Sequence, residues 1–141
     1  MDLSMTREER MTFLTEVPRV AVLSIEAPRR GPVSSPVWFS VDADGALKFS
    51  VGPESRKATL LAAAGRATMC VQSEAVPYQY VVMEGQVSAQ GPSDEGFVHE
   101  QAIRYLGPDL GELYFAGVRD QPSVTYALTP GRWATLDYHK L

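Results

Sequence analysis

Short segments rich in β-branched and apolar residues recur along this chain, and turn residues separate them. Such segments predict strands, because branched and aromatic side chains pack well on a pleated surface. The sequence predicts seven of them: Val20–Ile25, Val33–Val41, Ala46–Val51, Arg66–Gln72, Tyr78–Ala89, Val124–Thr129 and Arg132–Tyr138. Few helices lie between them. The pattern indicates one domain over residues 1–141, mainly β, built as a six- to seven-stranded antiparallel barrel.

Turn residues predict how the strands are connected. Asp42–Gly45 indicates a hairpin between the second and third strands, and Pro130-Gly131 indicates another between the last two. Gly85 lies inside the long fifth strand and predicts a bulge or a bend at a barrel corner. The first strand, Val20–Ile25, is almost wholly apolar, which predicts burial on both of its faces.

Capping residues predict helices between some of the strands. Thr6 and Glu9 have the spacing of a capping box, which opens a short N-terminal helix. Ser55 is a favoured N-cap for a second helix. A third helix starts at Asp94, and Leu110–Val118 is predicted to be a separate short piece, helical or irregular.

Composition and charge exclude several classes of function. The formal net charge is −4, and the basic residues form no stripe, so no nucleic-acid partner is expected. No apolar stretch approaches the roughly 20 residues that span a bilayer, and the N-terminus resembles no signal peptide. Cys70 is a lone cysteine in an apolar run, which predicts an inert buried thiol. These features predict a cytoplasmic protein without a membrane partner.

The sequence contains no recognisable set of catalytic or metal-binding residues. His99 and His139 are the only histidines, and neither has metal-ligand spacing around it. No glycine-rich nucleotide motif and no nucleophile with a base partner are present. We therefore assign no catalytic residue and no metal ligand. An enzyme with this sequence would depend on a cofactor that carries the reaction.

The strongest functional signal is the stretch Phe49–Lys57, which reads as a strand end, a Gly-Pro turn and a helix start. A helix N-terminus carries partial positive charge, so the cations Arg56 and Lys57 are unfavourable there unless an anion is bound. Free backbone N–H groups at such a corner bind phosphate. The alternative is that both basic side chains simply extend into water.

Two residues of the second strand leave alternatives open. Pro36 cannot donate to a β-ladder, so it indicates an edge, a bulge or a point where something other than a strand approaches. Trp38 projects on the same face as Pro36. It is either a core tryptophan or a wall against a planar ligand.

These motifs occur in a recognisable order: Pro-Val-Trp-Phe at 36–39, Asp-x-Asp-Gly at 42–45, Ser-Arg-Lys at 55–57, and Gln-Tyr-Val-x-x-x-Gly at 79–85. From Thr6 to about Tyr138 the chain resembles the pyridoxamine-phosphate-oxidase-like flavin-binding split barrels. It is most similar to their short bacterial branch, many members of which use the deazaflavin coenzyme F420 instead of FMN.

The resemblance implies a homodimer with the cofactor in a cleft at the subunit interface. Arg56 and Lys57 would grip the cofactor phosphate, and the strand Ser35–Ser40 would run along the flavin-type ring. Gln79 matches a glutamine that approaches the cofactor, although a strand-edge glutamine can also bond to solvent. The implied cofactor-binding residues are Ser35, Pro36, Val37, Trp38, Phe39, Ser50, Val51, Ser55, Arg56, Lys57 and Gln79.

The resemblance implies an F420-dependent oxidoreductase that transfers a hydride from the reduced deazaflavin to an unsaturated or electron-poor small molecule. An FMN-dependent oxidoreductase of the same fold is the nearest alternative, and a non-catalytic flavin- or haem-binding module is a second one. The longer oxidases carry a basic and aromatic C-terminal segment, which has no counterpart after Arg132-Trp133. Oxidation of pyridoxamine phosphate is therefore not expected.

Overall fold

The computed structural model describes all 141 residues and places seven strands in one sheet, in which every pair of neighbours is antiparallel. The predicted mainly β architecture is confirmed. The spatial order is β2-β1-β5-β6-β7-β4-β3. The strands are β1 (Ala21–Ala27), β2 (Arg30–Val37), β3 (Ser40–Val41), β4 (Leu47–Val51), β5 (Arg66–Ser73), β6 (Gln79–Pro92) and β7 (Val124–Asp137).

The two edge strands of the sheet, β2 and β3, are consecutive in the chain. Only Trp38 and Phe39 separate them, so the sheet must curl until its edges meet. The prediction of one strand from Val33 to Val41 is therefore wrong. Its first part pairs with β1 and its last part with β4, at opposite edges of the sheet. Pro36 lies on an edge strand, which tolerates a residue without a backbone N–H because one side of the strand has no neighbour to pair with.

The last strand, β7, runs unbroken for 14 residues, so the predicted hairpin through Pro130-Gly131 is wrong. Its neighbour β6 is equally long and pairs with both halves of it. One residue, Gly131, is extra on the β7 side, and a bulge absorbs it opposite Gly85. A Cβ at Gly85 would lie 1.9 Å from the carbonyl oxygen of Thr129. The irregularity predicted at Gly85 is thus confirmed, and its cause is this close approach.

The inner face of the sheet and two helices enclose the hydrophobic core. Helix α1 (Arg7–Thr15) contributes Phe13 and Leu14, and α2 (Arg56–Ala64) contributes Leu60 and Leu61. Inward side chains of the strands fill the remaining space, and the largest of them include Leu23, Ile25, Leu47, Phe49, Met69, Met83 and Leu128. Burying one such side chain stabilises the fold by about 1.5–3 kcal/mol relative to leaving it in water.

The capping predictions for α1 and α2 are confirmed. The Thr6 side chain accepts a hydrogen bond from the Glu9 backbone, and the Glu9 side chain accepts one from the Thr6 backbone. Ser55 caps α2 through its hydroxyl, which accepts from the Ala58 N–H at 3.2 Å. Gly65 ends α2 with φ of +68°, a conformation that glycine adopts without strain.

Strand β1 is buried on one face only, contrary to the prediction from its apolar sequence. Ala21, Leu23 and Ile25 point into the core, whereas Val22 points outward and is 44% exposed. Neither a helix nor a second sheet of this chain covers the outer face at Val22. Val22 is thus an apolar side chain on the outward face of the sheet.

Helix α3 (Glu95–Val118) is a helical hairpin and not a straight rod. Gly107 has φ of +82° and ψ of 172°, and Pro108 begins a second arm, residues 108–118, that folds back along the first arm, residues 95–106. His99 Nε2 lies 2.7 Å from Glu112 Oε1 in the other arm. The predicted piece Leu110–Val118 is therefore helical and belongs to the third helix. No helix in the chain combines the length and apolar composition that crossing a membrane requires.

We expect Gly111→Ala to separate the two arms of α3, because a Cβ at Gly111 would lie 2.7 Å from the carbonyl oxygen of Ala102. Overpacking of this kind costs about 1–3 kcal/mol of unfolding free energy. Chemical denaturation measures the change. Gly117→Ala is the matched control in the same arm, where a Cβ meets nothing within 4 Å. It should stabilise the helix by about 0.5–1 kcal/mol, and equal effects of the two substitutions would contradict the hairpin packing.

Candidate functional site

A large cleft of about 910 Å³ opens where the two edges of the sheet meet. Three parts of the chain form it: the end of β2 with the break after it, the turn from β4 into α2, and both arms of α3 with the segment that follows. The lining includes Val20, Pro36, Val37, Trp38, Ser50, Val51, Gly52, Pro53, Lys57, Ser93, Glu95, Val98, Gln101, Tyr114, Phe115, Val118 and Arg119.

One end of the cleft is the start of α2. The Ser55 hydroxyl donates to the carbonyl of Gly52 at 2.7 Å and also caps the helix, which fixes the turn between β4 and α2. Lys57 is half-buried and lines the cleft, whereas Arg56 is exposed and does not. No acidic residue lies in the first turn of α2. This end of the cleft therefore combines the positive end of a helix dipole with a lysine charge.

Three hydroxyl groups form a chain beside this end. The Ser50 and Ser93 hydroxyl oxygens are 3.1 Å apart, and the Ser93 hydroxyl lies 2.8 Å from the Thr125 hydroxyl. They join β4, the residue before the cap of α3, and β7. Ser50 and Ser93 both line the cleft, so their hydroxyls add polar groups close to the lysine end.

A second part of the cleft lining is aromatic. The Trp38 ring stacks on Tyr105 with centroids 5.1 Å apart and an interplanar angle of 6°. Tyr114 packs against the same indole at 5.2 Å and 59°. Phe115 and Val118 extend this surface along the second arm of α3. Trp38 is thus half-buried and lines the cleft, but Tyr105 already occupies one face of its ring.

The charges at the rim are nearly balanced. Arg119 and Glu95 both line the cleft and form an ion pair at 2.7 Å, which also ties the two arms of α3 together. Lys57 makes no such pair, so its charge is the one that a bound anion would neutralise. No group of three or more His, Cys, Asp or Glu residues is placed to hold a metal ion.

Six of the eleven residues assigned to cofactor binding from the sequence line the cleft: Pro36, Val37, Trp38, Ser50, Val51 and Lys57. Two others do not line the cleft but belong to the segments that form it. Ser55 caps α2, and Phe39 is buried in the core. Their contacts with a cofactor stay predictions.

The remaining three lie outside the cleft. Arg56 is exposed, and Ser35 directs a buried hydroxyl without a hydrogen-bond partner toward the interior. Gln79 lines a separate small pocket of about 230 Å³ together with Asp137. Although burial raises the pKa of the Asp137 carboxyl, hydrogen bonds from His139 and Gln79 outweigh it and hold that pKa below its ordinary value.

The α3 wall of the cleft was not predicted from the sequence. Tyr114, Phe115 and Val118 belong to Leu110–Val118, which was predicted only as a short helical or irregular piece, and Arg119 directly follows it. The signal that could have found them is the Gly107-Pro108 pair. Gly followed by Pro marks a stop and restart of a helix, and the apolar residues after it then need a surface to pack against.

No protein-family model and no curated protein matches the chain. Solved structures do match it. The conserved hypothetical protein Rv2991 from Mycobacterium tuberculosis has a TM-score of 0.75 and 18% identity, covering 99% of this chain and 90% of the other. An F420 reductase has a TM-score of 0.68 and 22% identity, covering 87% of this chain and 94% of its own. A Listeria innocua protein assigned as a pyridoxamine 5'-phosphate oxidase has a TM-score of 0.68 and 16% identity, covering 92% of this chain and 96% of its own.

Proteins with a different role share the same architecture. The haem storage protein HutZ from Vibrio cholerae matches with a TM-score of 0.67 and 14% identity, covering 94% of this chain and 95% of its own. At these identities the comparisons show the fold alone. The chain has the split-barrel fold of the pyridoxamine-phosphate-oxidase-like proteins, and this fold serves both redox enzymes and haem storage.

Proposed function

We propose that the cleft binds a flavin-type cofactor and that the protein is an F420-dependent oxidoreductase. The observation that carries the proposal is a single cleft whose lining includes both an unpaired lysine at a helix start and an aromatic surface. A flavin or deazaflavin has the matching chemistry, since a phosphate and a planar ring are joined by a short chain. The solved F420 reductase with this fold supports the choice of F420.

In this proposal the phosphate binds at the start of α2. Lys57 supplies a positive charge, the first backbone N–H groups of α2 donate hydrogen bonds, and the Ser50 hydroxyl lies within the same end of the cleft. Arg56 is exposed and contributes only a more distant, screened charge.

The ring of the cofactor would lie along Pro36, Val37 and Trp38, with Val51 at its base. When bound, reduced F420 supplies a hydride to an unsaturated or electron-poor small molecule, and solvent supplies the proton that completes the reduction. The protein residues bind the phosphate, orient the ring and exclude water on the side covered by α3. The lone Cys70 is consistent with a reducing, cytoplasmic location.

We further propose that the outer face of the sheet forms a homodimer interface. Cross-strand partners place a row of small and apolar residues across five strands: Pro36, Val22, Cys70, Val82 and Ala134. None of these side chains is fully buried in the single chain. A second copy packed on this row would remove apolar surface from water at about 25 cal/mol per Å² and would explain the outward apolar side chain of Val22 in β1.

The proposed interface would also complete the cleft. Pro36 belongs both to the outer row and to the cleft lining, so a second copy on this face would lie beside the bound cofactor. Gln79 does not line the cleft of its own chain. In the proposed dimer, the cofactor that it contacts would be the one bound to the second copy.

Removing the lysine charge tests the cofactor site. We expect Lys57→Gln to weaken F420 binding about 10- to 150-fold, the effect of losing one charge-assisted hydrogen bond of about 1.5–3 kcal/mol. Arg56→Gln is the matched control and should weaken binding far less, because Arg56 is exposed. Fluorescence titration with F420 and, separately, with FMN measures both affinities. Equal affinities for Lys57→Gln and the unaltered protein would refute the phosphate site, and tighter binding of FMN would favour the FMN alternative.

A non-catalytic binding module is the second candidate function, and the haem storage protein of the same fold favours it. Turnover distinguishes the two. We expect oxidation of reduced F420 by a panel of enones and quinones to be faster with the protein than without it, as followed by the return of deazaflavin absorbance. Tight cofactor binding without turnover for any acceptor would instead favour the module.

A charge in the outer row tests the dimer. We expect Val22→Lys to convert a dimer into monomers and to weaken cofactor binding, since it would bury an unpaired ammonium group at the interface. Val76→Lys is the control, because Val76 is 77% exposed and lies outside the row. Sedimentation equilibrium measures the mass of each variant. A monomeric unaltered protein, or a dimer that tolerates Val22→Lys, would contradict the proposed interface.

A further inference from the structure

The seam of the barrel, where β2 ends and β3 begins, is held by a residue that does not line the cleft. At this seam the backbone of Trp38 and Phe39 leaves the sheet, so its polar groups need partners other than a neighbouring strand. Tyr105, on the first arm of α3, supplies them through its hydroxyl group.

The Tyr105 hydroxyl contacts three backbone groups. It accepts a hydrogen bond from the Phe39 N–H at 3.1 Å, and it lies 2.8 Å from the Arg19 carbonyl and 3.1 Å from the Phe39 carbonyl. A phenol has one proton, so it donates to one of these two carbonyls at a time or shares the proton between them. One hydroxyl thereby joins the segment before β1 to the seam between β2 and β3.

The ring of the same residue sets the position of the tryptophan. The Tyr105 ring stacks on the indole of Trp38, with the ring centroids 5.1 Å apart and an interplanar angle of 6°. Stacking of this kind is worth about 0.5–1.5 kcal/mol beyond the area that it buries. Tyr105 therefore contacts both the backbone of Phe39 and the side chain of Trp38, which lines the cleft.

The hydroxyl stays protonated over the physiological pH range. Burial raises the pKa of Tyr105 above its ordinary value, and this effect exceeds the opposing influence of the hydrogen bond with Phe39 and the charge of Arg104. The Tyr105 hydroxyl is therefore available as a hydrogen-bond donor at neutral pH.

We propose that Tyr105 is a positioning residue for the ligand cleft: it fixes Trp38 and the β2–β3 seam in the orientation that a planar ligand needs. The inference rests on the proposed function only where it concerns the ligand. The effect of Tyr105 on the orientation of Trp38 is already present in the ligand-free protein. A purely structural Tyr105 would lower stability when altered but would leave the folded cleft unchanged.

The test is Tyr105→Phe, which keeps the ring and removes the hydroxyl. It is made in a Trp133→Phe background so that Trp38 is the only tryptophan. We expect greater quenching of Trp38 fluorescence by acrylamide and a weaker near-ultraviolet dichroism signal in the ligand-free protein. We also expect affinity for F420 to fall about threefold to tenfold, the range for one neutral hydrogen bond.

Tyr126→Phe is the matched control. Tyr126 is buried and stacks on Phe49, and its hydroxyl makes no hydrogen bond within the chain. All measurements are made at a temperature at which both variants are fully folded. Unchanged Trp38 quenching in Tyr105→Phe would overturn the proposal, and so would altered quenching with unchanged F420 affinity. If the unaltered protein binds neither F420 nor FMN, the proposed function fails, and Trp38 quenching alone still decides whether Tyr105 positions the seam.

Discussion

The architecture depends on closing a sheet through two residues. Because β2 and β3 are neighbours in the chain and lie at opposite edges of the sheet, only Trp38 and Phe39 span the gap between the edges. A seam this short forces strong curvature, and the bulge opposite Gly85 in the long β6–β7 pair helps to provide it. Backbone groups at the seam cannot be paired by a strand, so an outside element has to pair them. Helix α3 does this, and a cleft opens where it bridges the seam.

The same geometry explains why charge and aromatic surface meet in one place. β4 pairs with β3, so the turn from β4 into α2 lies near the seam and brings Lys57 beside it. The cations Arg56 and Lys57 at the start of α2 interact unfavourably with the helix dipole, at a cost of about 0.3–1 kcal/mol each. Neither contributes to the hydrophobic core. That local cost is offset when an anion binds. The apolar side of the cleft comes instead from the second arm of α3, whose position relative to Trp38 depends on the Gly107-Pro108 reversal.

Local signals in the sequence were sufficient for elements whose conformation depends on a few neighbouring residues. The capping box at Thr6, the cap at Ser55 and the bulge at Gly85 were all predicted correctly. Predictions failed where pairing partners decide the structure. Val33–Val41 has the composition of one strand but divides between two edges, and Pro130-Gly131 has the composition of a turn but is absorbed by a bulge because β6 pairs on both sides of it. The α3 half of the cleft was missed for a different reason, because the Gly107-Pro108 pair was not interpreted as the reversal of a helical hairpin.

The outer face of β1 links the fold to the proposed assembly. Its sequence predicted burial on both faces, and the single chain buries only one, so the discrepancy lies at Val22 and its cross-strand neighbours. Single exposed apolar residues are ordinary on protein surfaces, but a continuous row across five strands is the kind of surface that marks an interaction site. The row reaches the cleft at Pro36. A partner on this face would therefore lie beside the ligand site, and Val22, which is exposed in the single chain, would be buried in the assembly.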